Sequence, residues 1–148
     1  MDNKVNIKNK KARFLYVIED KYVAGIELYG TEIKAIRMGK ASLTDSYCFF
    51  IKDELWVKMH ISEYDWGTYA NHDPRRDRKL LLTRRELNKL QAKVNVKGFT
   101  IIPLRLFTTD KGLAKLEIAT ASGKQLHDKR ESLKDQDAKR EMDRFMKK

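Results

Sequence analysis

Apolar residues recur at every second position over much of the chain, which is the pattern of β-strands with one buried face. The clearest example is SYCFFIKDELWVKMHI (46–61). In its second half Leu55, Val57, Met59 and Ile61 alternate with residues suited to the outer face of a sheet. The segment therefore predicts a β-hairpin.

Two further segments have the composition of strands. RFLYVIEDKYVAGIELYG (13–30) contains two runs of β-branched and aromatic residues, and it predicts two short strands separated by EDK. FTIIPLRLFTTDKGLAKLEIATA (99–121) predicts a second hairpin that turns at DKG. Because proline cannot donate to a strand ladder, Pro103 indicates an edge or a bulge in that hairpin.

Helical spacing appears in two places. TEIKAIRMGK (31–40) predicts one short helix that closes at Gly39. A second helix is expected to begin at the capping box T-x-x-E formed by Thr83 and Glu86, and to end at Gly98. The inner stripe of this second helix is Leu87, Leu90 and Val94.

The order of these elements predicts a mainly β protein with short helices. Six or so short strands and two helices in about 110 residues suggest a small antiparallel β-barrel, which we assign to residues 13–123. Residues 1–12 are polar and basic, and we expect them to form a flexible arm. Residues 62–79 show no periodicity and are predicted to be a loop, whereas residues 124–148 form a basic tail.

The tail combines dense charge with one apolar stripe. From Lys124 onward it contains nine cations and six acids, and Ala138, Met142 and Phe145 follow one another at helical spacing. Such a segment gains too little from helix propensity to offset its ordering entropy. We therefore expect a disordered tail that becomes helical only when a partner buries the stripe.

The net charge predicts the class of partner. Lys and Arg total 32 against 21 acids, which gives +11 and an isoelectric point near 9.7. A polyanion fits this excess, because each neutralised phosphate releases counterions. A membrane surface is less favoured, since no long apolar run is present. The N-terminus lacks the apolar region of a signal peptide, so we expect a cytoplasmic protein.

The chemistry of an enzyme is missing from the sequence. Cys48 is the single cysteine, and none of the three histidines has metal-ligand spacing to a second His or Cys. Asp73 and Asp77 are spaced like metal ligands, but the cations around them favour ion pairing. No nucleotide-binding or nucleophile motif occurs. We expect neither catalysis nor a cofactor.

Basic residues form three clusters along the chain. They are Lys8, Lys10, Lys11 and Arg13; then Arg75, Arg76, Arg78, Lys79, Arg84 and Arg85; then Lys124, Lys129 and Arg130. The middle cluster adjoins Tyr64, Trp66 and Tyr69, and aromatic rings beside cations suit unstacked RNA bases. Arg75, Arg76 and Arg78 are therefore candidate RNA contacts. A solvated surface with aromatics packed over the barrel end is the alternative.

Several motifs together resemble the SsrA-binding protein family (small protein B, SmpB) of bacterial trans-translation. They are NKKARF (9–14), AGIELYGTEIKAIRMGKASLTDSY (24–47), NHDPRRDRKLLL (71–82) and GKQLHDKRE (123–131). They occur in the family's order and extend the resemblance from Asn9 to the C-terminus.

The resemblance implies an oligonucleotide-binding-type barrel that binds the tRNA-like domain of tmRNA. Such a protein is expected to deliver tmRNA to ribosomes stalled on mRNA without a stop codon. Its tail would enter the decoding centre and the mRNA channel beside small-subunit rRNA. The family implies no catalytic residue, no metal and no cofactor. We expect a monomer in the free form and no membrane partner.

The resemblance also implies roles for individual residues. The tmRNA-binding positions are Asn9, Lys10, Lys11, Tyr16 and Lys124. The positions of the tail that would act on the ribosome are His127, Asp128, Lys129, Arg130, Met142, Phe145 and Met146.

The chain departs from the family pattern at two positions. Val23 stands where members commonly have a glutamate, and Gln125 replaces the second lysine of GKK. Glu19 and Glu27 are the acids that could replace the missing carboxylate.

Two other functions are alternatives to tmRNA binding. A general single-strand RNA-binding barrel would bind RNA without tmRNA specificity and would not need the tail. A release factor of the peptidyl-tRNA hydrolase type requires a GGQ loop, and the sequence has no Gly-Gly pair.

Overall fold

The computed structural model describes residues 5–67 and 71–123 and is mainly β. Seven strands and three helices follow one another in this part of the chain. They are β1 (Asn6–Lys8), α1 (Ala12–Leu15), β2 (Tyr16–Ile26), α2 (Gly30–Arg37), β3 (Ala41–Ile51), β4 (Glu54–Ile61), β5 (Asp77–Leu81), α3 (Arg84–Val94), β6 (Phe99–Thr108) and β7 (Ala114–Gly123).

The strands form one antiparallel sheet in the order β1-β6-β7-β2-β5-β4-β3. The two ends of this order, β1 and β3, lie against each other, and β3 also contacts β6. The sheet is therefore a nearly closed barrel, and the predicted small antiparallel barrel is confirmed.

The interior of the barrel is built by the alternation seen in the sequence. Leu55, Val57, Met59 and Ile61 of β4 are all fully buried, as the hairpin pattern predicts. Cys48 of β3 is also buried, and burial raises the pKa of its thiol above the ordinary value. A thiol in this environment is an inert core residue.

Both predicted helices are present, and the second begins at the predicted capping box. The Thr83 hydroxyl accepts a hydrogen bond from the Glu86 N–H at 3.2 Å, while the Glu86 carboxylate accepts one from the Thr83 N–H at 3.0 Å. However, α3 ends at Val94, so Gly98 is not its C-terminal cap. Gly98 has φ 91° in the turn that leads into β6, a conformation that favours glycine.

The sequence interruptions correspond to bulges. β2 is one strand and not two, and its pairing with β7 shifts register between Ile18 and Lys21, where EDK lies. β6 shifts register against β7 between Pro103 and Arg105, which confirms the predicted bulge.

Two predicted boundaries are wrong. Residues 6–8 were assigned to a flexible arm, yet they form β1 and pair with β6, because Ile7 packs against the barrel core. Residues 77–79 were assigned to the loop, yet they begin β5, in which Arg78 and Leu80 are buried. An arginine at an inward position hid the alternation of this strand.

Candidate nucleic-acid interface

A cleft of about 400 Å³ lies where β1 and α1 face β3 across the seam of the barrel. Asn9, Lys10, Lys11 and Tyr16 line this cleft, together with Lys8. The three lysines are exposed and form no ion pair with any residue that the structure describes. We call this feature the seam cleft. It brings together all the predicted tmRNA-binding residues of the described chain.

Asn9 fixes the wall of the seam cleft that carries the lysines. Its backbone N–H donates to the Leu104 carbonyl at 2.8 Å, and its side-chain Nδ2 donates to the Pro103 carbonyl at 2.9 Å. Ala12, which follows the lysines, is only 2% exposed. The intervening Lys10 and Lys11 are thus held by anchors on both sides, with their charges in solvent. Asn9 positions the lysines, and its Oδ1 is its remaining acceptor.

The opposite wall of the seam cleft is an irregular part of β3. Ser42 pairs with His60 and Tyr47 pairs with Lys58, so the four residues 43–46 stand opposite a single residue of β4. This bulge carries the LTDS part of the motif that resembles the family. Motif segments that are distant in sequence therefore form the two walls of one cleft.

A second cleft, of about 640 Å³, lies on the other side of the lysine segment. Arg105 and Glu117 line it and form an ion pair at 3.2 Å, and the Arg105 guanidinium lies 4.2 Å from the centre of the Phe107 ring. Sequence reasoning missed Arg105 as a candidate. The alternation of PLRLF (103–107) would have placed Arg105 and Phe107 together on the outer face.

Glu117 also stands next to the position where the family carboxylate is absent. Val23 is exposed and pairs directly with Glu117 across β2 and β7. Glu19 is engaged elsewhere, because it forms an ion pair with Lys93 at 2.8 Å. The acid that pairs with Val23 across the sheet is therefore Glu117.

The middle basic cluster is largely structural. Arg78 is fully buried, and its Nε donates to the equally buried carboxylate of Glu32. Its Nη1 donates to the carbonyls of Met59 and Arg76, each at 2.9 Å. The prediction that Arg78 contacts RNA is wrong, because its guanidinium is enclosed and hydrogen-bonded inside the protein.

Glu32 holds both the helix and the loop in this network. Its Oε1 accepts from the Tyr29 N–H at 2.7 Å, which caps α2, and from Arg76 Nη2 at 2.6 Å. Burial raises the pKa of Glu32, but the hydrogen bonds from Arg76 and Tyr29, with the charge and hydrogen bond of Arg78, lower it below its ordinary value overall. Glu32 is therefore a buried carboxylate that is ionised at neutral pH.

The remaining arginines of the cluster differ in exposure. Arg76 is half-buried, and its guanidinium lies 4.0 Å from the centre of the Tyr29 ring. Arg75 is exposed, and its backbone N–H donates to the Asp73 carboxylate at 2.9 Å. Of the three predicted RNA contacts, Arg75 is the exposed one, and its guanidinium has no ion-pair partner within the described residues.

The histidine and aspartates of the loop also have structural partners. His72 is buried between the Thr31 hydroxyl and the Ile61 carbonyl, each 2.9 Å from a ring nitrogen. Asp73 and Asp77 are engaged by the Arg75 N–H and by Lys58 at 3.5 Å. Across the described residues, no group of three or more His, Cys, Asp or Glu could hold a metal ion.

The aromatic residues of the loop have different environments. Tyr64 is tied to Asn71 through hydrogen bonds of both backbone groups, and Lys34 lies 5.5 Å from its ring centre. Trp66 is 76% exposed, whereas Tyr69 lies outside the described residues. Tyr64 therefore has partners within the protein, whereas the Trp66 ring is accessible to solvent.

The predicted residues of the tail lie outside the described part of the chain. They are Lys124, His127, Asp128, Lys129, Arg130, Met142, Phe145 and Met146. In the part that is described, none of the helices has the length and apolar character needed to cross a membrane.

Comparison with known proteins gives one consistent family. The family model described as SmpB protein matches residues 6–148. The SsrA-binding protein of Phocaeicola vulgatus is 60% identical over 144 residues, which cover 97% of this chain and 96% of that protein. The SsrA-binding protein of Agrobacterium fabrum is 49% identical over 146 residues, which cover 98% of this chain and 91% of that protein.

A solved structure has the same fold. It is described as "tmRNA-SmpB: a journey to the center of the bacterial ribosome", and one of its chains matches with a TM-score of 0.69 and 44% sequence identity. The match covers 80% of this chain and 84% of that chain.

Proposed function

The chain belongs to the SmpB protein family, and on that premise we propose that it binds the tRNA-like domain of tmRNA and delivers tmRNA to ribosomes stalled on non-stop mRNA. The observation that carries the proposal is the seam cleft. There Asn9, Lys10, Lys11 and Tyr16, for which the resemblance implies tmRNA binding, line one surface of the barrel.

The seam cleft supplies the two kinds of contact that structured RNA requires. Lys8, Lys10 and Lys11 are exposed cations on a fixed segment and have no ion-pair partner among the described residues, so they are available to neutralise successive phosphates. Tyr16 is half-buried and offers a ring edge and a hydroxyl for contact with a base or a ribose. Phosphate contacts set the orientation of the RNA, and the aromatic and polar walls read its shape.

The barrel and the tail have different functions in this proposal. The barrel of residues 13–123, with the preceding β1, holds the RNA, and Lys124 extends its basic surface. Residues 124–148 act on the ribosome. His127 stacks on a base of the decoding centre, Asp128, Lys129 and Arg130 begin the functional tail, and the apolar stripe ending in Phe145 and Met146 is buried when the tail folds in the mRNA channel.

The activity is binding and not catalysis, and it takes place in the cytoplasm, where tmRNA and ribosomes meet. Within the described residues, the buried groups Glu32, Arg78 and Cys48 have shifted pKa values and serve the fold. Glu32 and Arg78 are buried against each other, and Cys48 is a core thiol. This supports a protein whose chemistry is electrostatic recognition.

A gel-shift titration with cognate tmRNA and an elongator tRNA tests the proposal. At equal salt, the protein should bind tmRNA far more tightly, and the logarithm of its affinity should fall linearly with the logarithm of salt concentration. Lys11→Ala should weaken binding, while Lys52→Ala, in the exposed β3–β4 turn, is the matched control. Equal affinity for the two RNAs would favour a general RNA-binding barrel.

A further inference from the structure

Asp45 is the one acidic residue among the described residues that line the seam cleft. It projects from the β3 bulge with φ 57°, a left-handed conformation that most residues avoid and that Asp and Asn tolerate. The bulge is anchored on both sides of it, because Leu43 is 2% exposed and the Ser46 hydroxyl donates to the Leu43 carbonyl at 2.5 Å. The position of Asp45 is therefore built into the barrel.

The carboxylate of Asp45 is exposed, and it has no ion-pair or hydrogen-bond partner within the described residues. This is notable because Lys8, Lys10 and Lys11 line the same cleft. A free carboxylate in a phosphate-binding cleft repels RNA unless it accepts hydrogen bonds from the RNA itself. RNA offers such donors on its base edges and ribose hydroxyls, whereas its phosphates are acceptors only.

We propose that Asp45 is a specificity-determining residue that accepts hydrogen bonds from an unpaired guanine of the bound RNA. Guanine presents two adjacent donors, N1–H and the N2 amino group, which match the two oxygens of a carboxylate. The lysines attract any RNA, and Asp45 favours the RNA that places this edge in the cleft. The inference rests on the proposed function and names the residue that gives it selectivity.

Asp45→Asn tests the inference with little effect on the backbone, because Asn also tolerates the left-handed conformation. In a filter-binding assay, this variant should bind the tRNA-like domain of tmRNA about tenfold more weakly than the wild type. Its affinity for an elongator tRNA should stay equal or rise slightly, since one repulsive charge is removed. Asp53→Asn is the matched control, because Asp53 is exposed with φ 66° but lies in the turn at the other end of β3.

A second arm changes the RNA and leaves the protein intact. Inosine lacks the N2 amino group of guanosine, so inosine at the contacted position should weaken binding by the wild type and have little further effect on Asp45→Asn. This non-additivity identifies the contact directly. It also distinguishes a guanine contact from a contact to a ribose hydroxyl, which inosine would not change.

The outcomes separate the inference from the proposed function. If the wild type fails to prefer the tRNA-like domain over the elongator tRNA, the proposed function is wrong. If the wild type has that preference but Asp45→Asn binds the tRNA-like domain equally or more tightly, Asp45 does not select RNA. Additive effects of inosine and Asp45→Asn at every unpaired guanine would also overturn the inference.

Discussion

Replacing Arg78 by methionine is expected to destabilise the barrel while leaving its RNA-binding surface intact. Methionine fills much of the volume of the arginine stem but removes the guanidinium that binds Glu32 and the carbonyls of Met59 and Arg76. Breaking one partner of a buried ion pair costs about 3–5 kcal/mol, because the other charge stays buried. Since Glu32 keeps its contact with Arg76 at 2.6 Å, we expect the lower end, about 3 kcal/mol.

Urea denaturation and thermal melting measure this cost. For a barrel of about 110 residues, each kcal/mol lowers Tm by about 4 °C, so Arg78→Met should melt roughly 12 °C below the wild type. Arg75→Met is the matched control, since Arg75 is exposed in the same loop. Its free energy of unfolding should change by no more than about 0.5 kcal/mol.

RNA binding by the same variants completes the test. At a temperature where both variants are folded, Arg78→Met should bind the tRNA-like domain as the wild type does. A variant that melts like the wild type but loses RNA affinity would refute the structural role that we assign to Arg78.

Three further measurements follow from the same structure. Lowering the pH below 4.5 should destabilise the wild type more than Glu32→Gln. The pKa of Glu32 is lower in the folded than in the unfolded protein, so the ionised carboxylate adds stability above the unfolded pKa, and this stability is lost as the pH falls through the folded pKa. An equal pH dependence of the two free energies of unfolding, measured by urea denaturation, would contradict this prediction. Val23→Glu places a second carboxylate opposite Glu117, so it should weaken the affinity for the tRNA-like domain measured by titration calorimetry. Val23→Gln should leave that affinity unchanged, and improved affinity of Val23→Glu would contradict the prediction. Truncation after Gln125 should preserve Tm and most RNA affinity but abolish tagging in a reconstituted translation reaction, and normal tagging would contradict the role of the tail.

The sequence predicts best the parts of the fold that are determined by residues close to one another in the chain. The hairpin of β3 and β4 shows strict alternation, and the Thr83 and Glu86 cap fixes the start of α3 with short-range hydrogen bonds. The EDK and Pro103 interruptions were located correctly because each weakens a strand ladder wherever it occurs. Such features depend on near neighbours.

Prediction failed where a partner that is distant in sequence decides whether a residue is exposed or buried. Arg78 belongs to a cationic run that suggests a solvated surface, and only the burial of Glu32, which is 46 residues away, makes it a core residue. The same distance effect concealed β5 and made β1 resemble a flexible arm. Arg105 was missed because it lies outside the three basic clusters, and its contact with the Phe107 ring depends on the alternation of β6.

The pairing of β1 with β6 has a consequence for the order of events during synthesis. Asn6 pairs with Phe107, so β1 has no partner until about a hundred more residues have been translated. At about 5–20 residues per second, that interval is roughly 5–20 s. Because the wall of Lys10 and Lys11 is anchored on Pro103 and Leu104, it too is completed only then. A nascent chain therefore acquires its barrel closure and its capacity to hold RNA together, and only after β6 has been translated.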